Sequence, residues 1–141
     1  MRRNFIVLRR SRRYNRTIGV DIAVAEEILQ FLGSSRKYIE KTDYLFHRIL
    51  EHRNIYFDNY KRIKTFQRVH ISEIRIFPNG DNCRIYCCEV NDKNNLQHII
   101  MAKLLIKKKD REITKKIEQQ LEVLKNYQYE EAKSGYDQSQ I

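Results

Sequence analysis

The sequence predicts an α+β domain, and three observations carry that prediction. From Ile71 to Lys109, three β-prone runs (SEIRIF, CRIYCCEV and LQHIIMAKLLIKKK) are separated by turn chemistry at PNGDN and NDKNN. Two amphipathic helical patterns lie between Asp21 and His52, and a third apolar stripe at helical spacing follows the last β-prone run. With 141 residues the chain reads as one domain with a modest core.

Asn4 to Leu8 is rich in β-branched and aromatic types and suits a first strand. The alternative is that residues 1–16 form a flexible basic arm, since like charges repel and such arms often order on nucleic acid. Asp21 is a candidate N-cap for a helix whose apolar face is Ile22, Ala25, Ile28, Leu29 and Leu32, with Gly33 as its stop. Ile39, Leu45, Phe46, Ile49 and Leu50 predict a second helix from Arg36 to about His52, giving an antiparallel helical hairpin.

Residues 54–67 interleave Lys61, Arg62 and Lys64 with Tyr56, Phe57, Tyr60 and Phe66. This pattern suits RNA, because cations meet phosphates while aromatic faces stack on unpaired bases. The alternative, which each aromatic taken singly favours, is a partly buried loop whose aromatics complete the core. Beyond it, Ile74 and Ile76 share one strand face, and the run from Arg84 is apolar on both parities, as expected of a central strand covered on both sides. Leu96 to Ile106 is the third run. Asp110 is the candidate N-cap of a last helix buried through Ile113, Ile117, Leu121, Leu124 and Tyr127, and residues 130–141 form a polar tail expected to fray.

The chain has 28 Lys and Arg against 18 Asp and Glu, a formal charge of +10, which points to a polyanionic partner. The charge is unevenly placed: seven arginines and no acid lie within Met1 to Arg16. Arg9, Arg10, Arg12 and Arg13, with Lys61, Arg62 and Lys64, are therefore the candidate RNA-binding residues. Cys83, Cys87 and Cys88 match no zinc or redox spacing and read as reduced apolar side chains. The four histidines show no paired spacing, so no metal site and no cofactor are expected. No apolar run reaches membrane-spanning length and no secretory signal pattern opens the chain, so the expected location is cytoplasmic.

Glu73-Ile74-Arg75, Cys83-Arg84-Ile85 and Leu104-Leu105-Ile106-Lys107-Lys108-Lys109, in that order and before a helix, resemble the C-terminal half of RelE/ParE-superfamily toxins, especially the phage-derived HigB-like branch. The family pattern is a strand ending Glu-Leu-Arg, a strand opening Tyr-Arg-Val/Ile, and an apolar strand running into Gly-Phe-x-Lys-Lys-Thr. This chain departs from it at Leu104, Leu105 and Lys109, and Lys103 stands where many relatives carry histidine. The resemblance covers roughly residues 60–127, and residues 17–129 make up the toxin-like domain.

The resemblance implies a RelE-like, microbial-RNase-like fold: helical hairpin, antiparallel β-meander and C-terminal helix. It also implies a type II toxin that cleaves mRNA on the translating ribosome without metal, held in check by a small helix-turn-helix antitoxin, with no membrane partner. Attack of a ribose 2′-OH on phosphate needs a proton acceptor, stabilisation of a dianionic phosphorane and a proton donor. Arg75 and Arg84 are candidates to grip the phosphate, because guanidinium offers paired donors and stays charged. Lys107 and Lys108 add positive potential, Tyr86 is a candidate for base stacking or proton donation, and Lys103 for the role of the missing histidine. A non-catalytic basic nucleic-acid-binding module of the same fold and a ParE-like inhibitor of DNA gyrase are the alternatives.

Overall fold

The computed structural model describes residues 1–106 and 115–132. The expected N-cap at Asp110, its neighbour Ile113, the cations Lys107 to Lys109 and the end of the tail lie outside the described residues. The fold is α+β, built on a mixed seven-stranded sheet. The strands are β1 (Arg2–Arg10), β2 (Arg16–Asp21), β3 (Tyr60–Thr65), β4 (His70–Ile74), β5 (Arg84–Asn91), β6 (Gln97–Leu105) and β7 (Gln128–Glu131), in the spatial order β3-β4-β5-β6-β2-β1-β7. The helices are α1 (Ala25–Leu32), α2 (Arg36–Glu51) and α3 (Lys115–Leu124).

The expected antiparallel meander is present as β4-β5-β6, and residues 60–65 extend it by a fourth strand. The whole sheet is not antiparallel, however. β2 runs parallel to β6, with Ile18 opposite Ile99 and Val20 opposite Met101, and β1 runs parallel to β7. Parallel pairing joins segments distant in sequence, so no local turn signal announces it.

Of the two readings of residues 1–16, the chain takes the strand: β1 and β2 form an antiparallel pair closed by residues 11–15. Asp21 ends β2 rather than opening α1, and its carboxylate caps a 3₁₀ turn, Ile22–Val24, by accepting from the Ala23 N–H at 2.8 Å. The second helix falls where the apolar spacing puts it, with Ser35 as N-cap accepting from the Tyr38 N–H.

The tail corrects the expectation of fraying from residue 130, because Gln128–Glu131 is an edge strand. Its side chains are polar, and the attachment comes from backbone pairing to β1 and from the Tyr129 hydroxyl, which donates to Asp21 Oδ2 at 2.8 Å. Tyr127, expected on the helix, lies between α3 and β7.

One sheet face packs Ile6, Ile18, Val20, Ile74, Ile85, Cys87, Ile99, Met101 and Leu104 with residues of α1 and α2. The opposite face packs Ile71, Tyr86, Cys88 and Ala102 with Ile117, Leu121 and Leu124 of α3. The three cysteines are free and buried.

At Gly19 a Cβ would stand 2.5 Å from the Ile6 carbonyl oxygen and 3.1 Å from Phe5 Cδ2. Because the nearer atom is backbone in a paired strand, a side chain there forces β1 and β2 apart. Gly19→Ala is expected to lower stability by about 2 kcal/mol, measured as a lower urea midpoint with unchanged slope.

Candidate functional site

The register of the meander builds a row of chemistry-bearing side chains. Lys61 on β3 lies opposite Glu73 on β4, Glu73 opposite Tyr86 on β5, and Tyr86 opposite Lys103 on β6. Directly opposed residues hold their Cβ atoms roughly 5 Å apart, so neighbours along such a row are in reach of one another. The row crosses the sheet on the α3 side. Arg84, two residues before Tyr86, shares its face and places Nη1 on both oxygens of Glu73, with Oε2 at 3.0 Å.

A bulge in β6 sets the position of Lys103. Tyr86 pairs with Lys103 but Cys87 pairs with Met101, leaving Ala102 as the extra residue. Met101 and Leu104 can then both face the main core despite their spacing of three, while Lys103 stays in the row. Strict alternation, the sequence rule for strands, does not find this arrangement.

Glu73 is 8% exposed, so its charge is largely removed from water and depends on Arg84. The sequence offered it as part of a motif rather than as a site residue. Its burial beside a guanidinium, which only the fold brings about, makes it the carboxylate of the row. Arg75 donates from Nη2 to the Pro78 carbonyl at 2.8 Å. Among the described residues, Nε of both Arg75 and Arg84 is buried without an acceptor. Tyr86 is 2% exposed and packs under α3, so it presents no open ring for base stacking. Burial first, and Glu73 second, raise its pKa above the ordinary tyrosine value while Arg84 opposes them, and the hydroxyl keeps its proton at neutral pH. Lys103 is half-buried, and Lys107 and Lys108 lie outside the described residues.

The aromatic and basic residues of 54–67 divide between the faces. Arg62 turns away from the row to Glu89, with Nη2 3.2 Å from Oε1. Glu89 is 3% exposed and also accepts from the hydroxyls of Tyr56, at 2.7 Å, and Tyr60. Tyr60 in turn accepts from the Ser72 hydroxyl at 2.9 Å. These groups hold a buried carboxylate. Lys64 stands 5.3 Å from the Phe66 ring centroid, and only Lys61 of this set projects from the row exposed. Arg9 pairs with Asp43 at 2.8 Å and Arg10 with Glu131 at 3.3 Å, while Arg12 and Arg13 are exposed in the β1–β2 connection.

Among the described residues no group of three or more His, Cys, Asp or Glu side chains is placed to hold a metal ion. Nor, among them, is any helix long and apolar enough to cross a membrane. No protein-family model, curated protein or solved structure matches the chain.

Two outcomes follow from these networks. Arg84→Ala leaves the Glu73 carboxylate buried without a partner and is expected to cost about 3 to 5 kcal/mol, whereas the double replacement Glu73→Gln with Arg84→Gln recovers most of that loss in denaturant titration. Secondly, stability is expected to fall with alkaline pH. Tyr38, whose hydroxyl donates to Asp81, has its pKa raised from 10.0 to about 12, and Tyr56, Tyr60 and Tyr129 are raised by burial. The native state then binds more protons than the unfolded chain once pH exceeds the unfolded value, so the Tyr38 contribution is complete below pH 10 and is lost toward pH 12. Tyr38→Phe should flatten the loss in that window, read by unfolding at fixed pH.

Proposed function

We propose that the protein is an RNA endonuclease of the RelE/HigB-like toxin type, cleaving mRNA on the translating ribosome by 2′-OH attack. The observation that carries this reading is the row Lys61, Glu73, Tyr86 and Lys103, with Arg84 on Glu73. It gathers an acceptor, two kinds of cation and a protonated hydroxyl on one sheet face. The resemblance of the motifs around Glu73, Arg84 and Leu104 to Lys109 supports the same assignment.

In the proposed reaction Glu73 accepts the 2′-OH proton. Arg84, whose side chain keeps 12% of its surface open, turns the part of its guanidinium not held by Glu73 to the scissile phosphate, with Arg75 adding positive charge beside it. Lys103 and Lys61 stabilise the developing dianion. Donation to the leaving 5′-oxygen falls to Lys103, which is half-buried and therefore reachable, rather than to the enclosed Tyr86. Tyr86 fixes the spacing of Glu73 and Lys103 from beneath. A small helix-turn-helix antitoxin is the partner proposed to restrain the activity, and cytoplasmic action is proposed with it.

A second reading, a non-catalytic nucleic-acid-binding module, is favoured by one observation: Arg84 and Glu73 neutralise each other as they stand. The two readings separate in a translating extract. The endonuclease predicts new mRNA 5′ ends that require translation, are reduced at least about 100-fold by Lys103→Ala, and disappear in the neutral pair Glu73→Gln with Arg84→Gln while the variants stay folded by circular dichroism. Intact mRNA with folded wild-type protein would sink the endonuclease and leave the binding module.

A further inference from the structure

At the opposite end of β6 from Lys103, the β1–β2 connection lies against the end of α2. Arg9, Arg10, Arg12, Arg13 and Arg53 gather there around two adjoining grooves of about 520 and 320 Å³, which share Arg12, His47 and Glu51. Gln97, where β2 begins its pairing with β6, and Lys103 are six strand residues apart, about 20 Å.

The connection is held from beneath. Arg16 is 9% exposed and donates from Nη1 to the carbonyls of Ile49 at 2.8 Å and His52 at 2.6 Å. It thereby supplies a cation to the last, unpaired carbonyls of α2. The Arg12 N–H donates to Glu51 Oε1 at 2.8 Å, and the Ser11 hydroxyl accepts from the N–H groups of Arg13 and Tyr14. Glu51, the carboxylate in the groove, is engaged by Ser11 and by the Arg12 N–H, and the nearby Arg13 also helps to hold its pKa below the ordinary value. Among the described residues, Arg12, Arg13 and Arg53 form no salt bridge, and all three are exposed.

We infer that this groove is a backbone clamp for nucleic acid, binding the phosphates of a structured RNA independently of its sequence. Guanidiniums that form no salt bridge among the described residues, two of them on an ordered turn, suit phosphate oxygens. The groove's one tyrosine, Tyr14, has a face covered by the Arg16 guanidinium at 4.4 Å from its centroid, and the exposed rings beside it are the imidazoles of His47 and His52. With Leu50 the one aliphatic side chain lining the two grooves, they offer little apolar surface to a protein partner. The inference rests on the RNA-directed reading only in naming RNA as the ligand; the clamp needs no cleavage.

The test is fluorescence anisotropy of a labelled short RNA duplex with the full chain, across about 50 to 200 mM salt. A DNA duplex of the same sequence and poly-glutamate serve as the other probes. Arg12→Ala with Arg13→Ala and Arg53→Ala is compared with Lys37→Ala, Lys41→Ala and Lys93→Ala, which removes the same charge elsewhere. The groove variant should bind the RNA duplex at least about tenfold more weakly and lose about 2.7 from the slope of log K against log salt, while the control variant changes little. Binding of both duplexes assigns the clamp to the shared phosphodiester backbone, and binding of RNA alone assigns it to the A-form duplex. Equal losses in both variants, no loss in the groove variant, or poly-glutamate binding as tightly as the duplexes would each overturn the inference. Since no step depends on cleavage, inactivity on mRNA leaves this result standing.

Discussion

The pairing of β2 with β6 is the contact on which the remaining architecture depends. It joins the N-terminal hairpin to the meander and places Ile18, Val20, Ile99 and Met101, all fully buried, in one layer beneath α1 and α2. Without it the meander would present its β6 edge to solvent, and β1 and β7 would have no sheet to extend. Gly19 lies within this pairing, where the close approach of β1 leaves no room for a side chain.

A second constraint is the neutralisation of charge taken out of water. Asp21, Glu73, Glu89 and Arg16 are all buried, and each has a specific answer: Arg3 and Tyr129, Arg84, the Tyr56–Tyr60–Arg62 set, and the carbonyls at the end of α2. A buried charge without such a partner would cost several kcal/mol. The chain therefore commits some of its cations to its own core, and composition alone cannot tell them from those left for a ligand. Arg62 and Arg16 serve the fold, whereas Arg12, Arg13 and Arg53 remain on the surface. The Arg84–Glu73 pair stands between the two cases, being structural as it lies and at the centre of the proposed chemistry.

Sequence by itself determined the local elements whose signals are short-range. Periodicity placed α2, alternation and turn residues placed β4, β5 and β6, and the apolar character of both parities in β5 marked a strand covered on both faces. The uneven arginine content pointed to the basic region. Tertiary structure alone decided what depends on distant partners. The parallel pairings, the edge strand in polar Gln128–Glu131, the bulge that sets Lys103 opposite Tyr86, and the burial of Glu73 all arise from contacts between remote segments. The physical reason is common to these cases: a residue's propensity is local, but its register, desolvation and ion partner are properties of the strand or helix that packs against it.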